Sequence, residues 1–595
     1  MRKIFCCSVF LLMAVRLLSA QSVPEKWLTD CEKSGFKQTP RYAETMAYCR
    51  KIEKASPWVK VTSFGMSPEG RSLPLVIVSN EKAFTPAKAA ATNKAVILIQ
   101  NGIHAGEIEG KDASLMLLRD IAILKSKASL LDHAILLIIP IYNVDGHERF
   151  GPYNRINQNG PEEMGWRVTA QNLNLNRDYV KADAPETQAW LKLYTAWLPD
   201  FFIDCHVTDG ADYQYVVTYG IETHENVPAP VREWVNTTFL PSMKDMKIND
   251  VPIGPLINFR SDLEPLKGLL AFAGTAPPRF STVYTPLQNR PGLLIEMHML
   301  KDYKTRVEAN YQFLDALIRR INEQSASLRQ AVRRADEETA GGVENPFPLV
   351  LQADTVPSST LRYFGFQQTN TASEISGGKK RVYSKDPYEA MVPVYEKLHV
   401  SKSVIPPYAY IIPRQWQEVI SRLKLHGIKL ERLKQAAELN VESYRFSNPK
   451  WQSAPFEGRL GVSYDVQKVE EKRAFPAGSI VVRLHQRAAR VAIHALEPES
   501  PDAFVAWGFF NAIFEQKEYG EDYVLEKLAS GMLAKDTLLA KHYVERVQSD
   551  SIFAKNYYSR LNFFYQHSPY WDVQMDLYPV ARLMEETPLI TEPIK

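Results

Sequence analysis

The stretch AVILIQNGIHAGEIEG, residues 95–110, carries an apolar run into a polar turn that holds His104 and Glu107 three positions apart. Its first six residues, AVILIQ (95–100), are what a strand covered on both faces looks like. The residues that follow, KDASLMLLRDIAIL (111–124), place Ala113, Met116, Leu117, Ile121 and Leu124 at helical spacing. Strand, turn and helix in that order are one unit of an α/β fold. In a parallel sheet, the turn after a strand is where sites are built.

The same alternation extends outward in both directions. LPLVIVS (73–79), AILLIIP (134–140), DFFIDCH (200–206) and GLLIEMH (292–298) read as further strands. PETQAWLKLYTAW (185–197) reads as a helix, with Pro185 and Glu186 suited to its first turn. Residues 58–330 are therefore predicted to form an α/β domain on a mainly parallel sheet. RRADEETAGGVENPFP changes the pattern, and residues 331–348 are predicted to be a linker. Residues 349–595 form a C-terminal α+β region. It has strands at FPLVLQA, PYAYIIP and GSIVVRLH, a helix QWQEVISRLKLHG ending at Gly427, and a helix over PDAFVAWGFFNAIFEQ (501–516). Its aromatic runs, WGFFNAIF and YYSRLNFFYQHSPYW, read as core.

Bulk composition excludes several functions. With 71 Lys and Arg against 68 Asp and Glu in 595 residues, the net charge of +3 gives no field for nucleic acid. Arg2 and Lys3, the run IFCCSVFLLMAV and Ala20 read as a signal peptide over residues 1–20, followed by an N-terminal segment, 21–57. An uncleaved anchor is the alternative. No later segment reaches about eighteen uninterrupted apolar residues, so a secreted or periplasmic protein without stable membrane insertion is expected. Cys31 and Cys49 could close a disulfide or remain two thiols, with Cys205 unpaired. Nothing in the sequence bears on oligomeric state.

A turn holding His-x-x-Glu can aim an imidazole and a carboxylate at one point, and a catalytic zinc needs a third ligand beside them. His206 supplies one, ending DFFIDCH at the equivalent edge of the sheet. HVTDGADYQY (206–215) offers Asp209 and Asp212 either as acceptors behind a ligand imidazole or as caps of a turn. QNLNLNRDY (171–179) sets Asn176 beside Arg177, a fork suited to a carboxylate, and GWRV (165–168) brings Arg167. RPGLLIEMH places Glu296 in an apolar strand, where a charge is costly unless it is paired or faces a site. His298 shares the Glu296 face and could orient it or simply be packed. His133, His147 and His224 read as solvated.

The ordered set His104-x-x-Glu107, Arg167, Asn176-Arg177, His206 and Glu296 resembles the zinc metallocarboxypeptidases of the carboxypeptidase A type. SPEGRSLPLVIVS (67–79) is similar to that family's N-terminal region, and the likeness covers roughly residues 36–325. The resemblance implies an eight-stranded mixed sheet with helices on both sides and one zinc held by His104, Glu107 and His206. It implies that zinc lowers the pKa of a water to ~7 and that Glu296 is the general base. It also implies that Arg167 stabilises the oxyanion while Asn176 and Arg177 grip the terminal carboxylate of peptide or protein substrates. Where the family carries a tyrosine, this chain has FAGTAPP; Tyr284 is the nearest upstream candidate for substrate binding. The motif's second position is Gly106, where digestive members often have Arg. Two other readings stand beside this one: a zinc amidase acting on cell-wall or other non-standard amides, and a binding protein without turnover.

Overall fold

The computed structural model describes residues 23–594 apart from 209, 262–263 and 271–273. The expected signal peptide (1–20) and Asp209 lie outside the described residues. The eight-stranded sheet is present. Its strands are β1 Val59–Met66, β2 Ser72–Val78, β3 Ala95–Asn101, β4 Ala134–Ile139, β5 Phe201–Thr208, β6 Val217–Ile221, β7 Gly254–Pro255 and β8 Gly292–His298. They lie in the order β1-β2-β4-β3-β5-β8-β6-β7. The central four, β4, β3, β5 and β8, run parallel, and antiparallel β1, β2 and β6 flank them. Every residue of β3 and β4 is buried, as continuous apolar runs require of central strands.

Helices cover both faces. On one side, α1 (Glu109–Ala122) and α3 (Tyr303–Glu323) close a core with Ile97, Ile99, Phe201, Ile203 and Ile295. The first turn of α1 presses onto the strand ends. A Cβ at Gly110 would lie 2.4 Å from Asn101 Oδ1 and 2.5 Å from Cys205 Cβ, so only glycine lets the helix start there. On the other side, α2 (Pro185–Trp197) packs Trp190 and Leu191 with Leu98, Leu137 and Phe202.

That second core does not stop at residue 330. It runs without a break into Tyr410, Tyr444, Phe446, Val491, Phe504 and Phe510 of the C-terminal region. The segment expected to be a linker is largely helical: Ser325–Gly341 is one helix, and its Asp336 pairs with the buried Arg290 at 2.9 Å. Charge alone misled there, because the acidic and basic residues form the solvated face of a helix whose other face (Leu328, Val332, Ala335) is buried. Beyond it stands a seven-stranded sheet that includes the hairpin Ala437–Trp451 with Val462–Phe475, and a separate long hairpin joins Ser359–Ala372 to Lys379–Tyr395. The helix expected over 501–516 forms only as a short turn, Asn511–Phe514. Gly508 takes a left-handed φ of 80°, which no α-helix interior allows. The aromatic run there is core, as read: Trp507, Phe509, Phe510 and Phe514 are all buried. The helix Gln417–Leu425 does end at Gly427, at φ 74°.

Cys31, Cys49 and Cys205 are buried free thiols. His147 is not solvated. It is fully buried between Lys111 Nζ (3.2 Å) and Glu148 Oε1 (3.1 Å). Among the described residues no helix is long and apolar enough to cross a membrane.

Burial pushes the imidazoles of His147, His426 and His494 down to about 4, 4 and 3, with Lys111 adding to the effect on His147. An unfolded histidine titrates near 6.5. As pH falls from about 6.5 towards 4, the unfolded chain takes up these protons before the native one, so stability is lost over that window. The unfolding temperature is therefore expected to fall between pH 7 and 5, and to fall less steeply in His494→Gln. An equal slope in the two proteins would mean that His494 is not buried neutral.

Candidate metal centre

Parallel pairing of β3 with β5 puts Asn101 opposite Cys205, so the turn after β3 and the end of β5 meet at one edge. There His104 and Glu107 close on His206. A backbone hydrogen bond from Glu107 N to His104 O (2.8 Å) shapes the turn. His104 Nδ1 lies 3.2 Å from Glu107 Oε2 and 3.2 Å from His206 Nδ1, and His206 Nδ1 lies 3.1 Å from the same carboxylate oxygen. All three residues are buried, at 4%, 2% and 4% exposure.

The hydrogen-bond pattern tests whether these groups suit a metal. His104 Nε2 faces Asn174 Oδ1 at 3.1 Å, and His206 Nε2 faces Asp204 Oδ2 at 3.0 Å. Asn174 Oδ1 also accepts from Asn176 N at 3.0 Å, which fixes the amide's orientation. With acceptors behind both rings, each neutral imidazole carries its hydrogen on Nε2 and turns the Nδ1 lone pair inward. Two lone pairs and a carboxylate oxygen then face one another, an arrangement that calls for a cation between them. The site favours positive charge: burial opposes the imidazolium of His206, but Asp204 and Glu107 outweigh it and raise this group well above its ordinary value, and a bound metal would take the place of that proton. The His-Glu-His set is a zinc donor set.

Around this triad lies a cavity of about 250 Å³, also lined by Arg167, Asn176, Arg177, Phe280 and Glu296. Glu296 is the direct ladder partner of His206 across β8 and β5. Arg167 Nη1 reaches Glu107 Oε1 at 3.2 Å. Asn176 Oδ1 accepts from Ser281 N at 2.9 Å. Arg177 sits 4.1 Å above the Phe280 ring, and no carboxylate lies within ion-pair distance of it among the described residues. Burial, with Arg167 close by, lowers it to about 10, although the charge of Glu457 pulls the other way.

Tyr284 is not in this cavity. It is fully buried in the core, packed at 6.3 Å from Trp190 and 5.7 Å from Tyr179, with its hydroxyl 2.8 Å from His426 Nδ1. The substrate-binding expectation for it is corrected: its helix, Ser281–Leu287, is buried along its whole length. His298 does not orient Glu296 either. Its Nδ1 accepts from Leu300 N at 3.1 Å and its Nε2 faces Asp212 at 3.1 Å, so Asp212 serves the loop and not a ligand imidazole.

Four partners escaped the sequence reading. Asp204 was within reach, being a charge in an apolar strand two residues before His206 and so on the same face. Asn174, Arg155 and Glu457 had no local signal. Arg155 Nη2 donates to Glu107 Oε1 at 2.7 Å. Glu457, from the C-terminal region, accepts from Asn174 N at 2.8 Å and so braces the residue behind His104.

Asp204→Asn is expected to weaken zinc binding about 10–100-fold, measured by competition with a chelator. Tyr284→Phe is expected to leave turnover unchanged and to lower stability by about 1–3 kcal/mol, because it strips a buried partner from His426. A lost activity with unchanged stability would return Tyr284 to the site.

Residues 45–232 match the family described as zinc carboxypeptidase. Carboxypeptidase 2 of Trichophyton tonsurans is 24% identical over 489 residues, covering 79% of this chain and 84% of that protein. Carboxypeptidase 2 of Trichophyton rubrum is also 24% identical over 489 residues, with the same coverage of each. Among solved structures, a metallo-carboxypeptidase from Burkholderia cenocepacia aligns at 17% identity with a TM-score of 0.35, covering 47% of this chain and 69% of that one. The matched stretch takes in His104, Glu107 and His206, so the part of this chain that carries the triad is similar to the zinc carboxypeptidases.

Proposed function

We propose that this protein is a zinc-dependent carboxypeptidase that hydrolyses the last peptide bond of peptides and proteins. The observation that carries the reading is one cavity with three kinds of group on its wall: the His104–Glu107–His206 triad, the carboxylate of Glu296, and the half-buried guanidinium of Arg177, which no carboxylate pairs directly among the described residues.

A zinc ion held by the triad would supply Lewis acidity, polarising the scissile carbonyl and activating water. The chain's own residues do the rest. Arg177 and Asn176 take the substrate's terminal carboxylate. Phe280 beneath the guanidinium holds its plane, and burial strengthens the attraction. Glu296 accepts a proton from the attacking water and gives it to the departing amine nitrogen, so the carboxylate ends as it began. Arg167, 35% exposed on its side chain, donates to the oxygen on which charge develops, an interaction worth roughly 3–4 kcal/mol. Leu256, Ile257 and Leu294 line the same cavity and suit an apolar terminal side chain. The basic-apolar start of the sequence supports export, so substrates are expected outside the cytoplasm.

The test is a matched pair of peptides, one with a free C-terminus and one amidated. Release of a terminal residue from the free peptide alone, abolished by chelator and restored by zinc, is expected. Glu296→Gln should lower kcat by about 10²–10⁴ with unchanged unfolding temperature. Arg177→Met should act mainly through KM. Equal cleavage of the amidated peptide would overturn the exopeptidase reading.

A further inference from the structure

Position 106, inside the metal motif, has no room for a side chain. A Cβ there would lie 2.6 Å from Arg155 Cγ and 2.8 Å from the Gly165 carbonyl oxygen. The volume beside Glu107 is already taken by Arg155, whose guanidinium arrives from 48 residues further along the chain.

Arg155 is the inward-turned member of a surface loop. Tyr153 and Ile156 are 91% and 97% exposed, whereas the Arg155 side chain is 9% exposed. The loop is fastened on both sides of it. Asn154 Nδ2 donates to the carbonyls of Arg149 and Met164 at 2.8 and 2.7 Å. Gln158 donates from its backbone to Arg155 O at 3.1 Å and from Nε2 to Gly106 O at 2.9 Å. The loop is thus tied to the metal motif itself, and a long cation is held where it must meet an anion.

The anion is Glu107, and its two oxygens are used differently. Oε2 faces His104 and His206 and accepts from Val207 N at 3.0 Å. Oε1 takes two guanidiniums: Arg155 at 2.7 Å and Arg167 at 3.2 Å. One carboxylate oxygen does not need both. The two arginines differ in kind. Arg155 is buried and close, while Arg167 is more exposed, more distant and lines the cavity.

We propose that Arg155 is the positioning residue of the ligand Glu107. It holds Oε1 at all times, so that Oε2 alone is presented beside His104 and His206. It thereby frees Arg167 to leave Glu107 for the substrate's carbonyl oxygen. This rests on reading the triad as a zinc site. A nearby guanidinium also repels a bound cation, but a buried carboxylate without its fixed partner loses both its aim and its counter-ion, and orientation by such outer partners dominates in metal sites.

The experiment measures zinc affinity directly, by competition with a chromogenic chelator, for the full chain and for Arg155→Met, Arg155→Lys and Arg167→Met. Thermal unfolding in chelator accompanies each. Arg155→Met should raise the zinc Kd about 10–100-fold, Arg155→Lys should recover part of the loss, and Arg167→Met should change it by less than about threefold. An Arg155→Met protein within about threefold of wild type overturns the proposal, as does an Arg167→Met loss as large as that of Arg155→Met. Should Arg155→Met not fold, an Arg155→Lys affinity equal to wild type overturns it instead. A folded wild-type protein that binds no zinc overturns the metal centre itself and the proposal with it, a result distinct from a variant-specific one.

Discussion

The buried carboxylate of Glu107 is the constraint on which the site depends. An ionised group at 2% exposure carries a desolvation penalty of several kcal/mol, and it survives only where every oxygen is answered. Here Oε2 meets two imidazole nitrogens and a backbone N–H, and Oε1 meets two guanidiniums. His104 and Arg155 more than offset the cost of burial and hold the carboxyl well below its ordinary range. Those groups come from β5, from the turn after β3 and from the segment 155–167. Only a sheet that brings the C-terminal ends of β3 and β5 together can supply them at once.

The C-terminal region belongs to this arrangement. It shares the core on one face of the sheet, so the two regions are not separately packed bodies joined by a tether. It also reaches the site's edge. Glu457 braces Asn174 behind His104, Arg459 forms a two-point pair with Asp183 at 2.7 Å on each contact, and the buried Asp502 pairs with Arg279 at 2.7 Å. The first two of these contacts hold the ends of the segment 174–183 that carries Asn176 and Arg177. The geometry of the expected carboxylate grip is thus set partly by residues some 280 positions away, Asn174 and Glu457 being 283 apart.

Two failures of the sequence reading share a cause. The linker over 331–348 and the helix over 501–516 were both judged from local composition. Tertiary burial overrode it in each case, turning a charged run into the outer face of a helix and an aromatic run into irregular core. Tyr284 failed differently. It lies at a plausible distance before Glu296, but sequence distance says nothing about which side of a helix faces a cavity, and this one faces the core.

What the sequence determined by itself was the framework. Continuous apolar runs marked β2, β3, β4, β5 and β8, and helical periodicity marked α1 and α2, because burial on both faces or on one stripe writes a period into the chain. The three ligand candidates were legible for the same reason, as polar residues at the ends of apolar strands. What only the tertiary structure decided was the company they keep: Asp204 and Asn174 behind the rings, Arg155 in the space Gly106 leaves, and Glu457 from the far region. Three of those four carry no local pattern, since a lone polar residue in a loop acquires its role from where the chain returns in space and not from its neighbours in sequence.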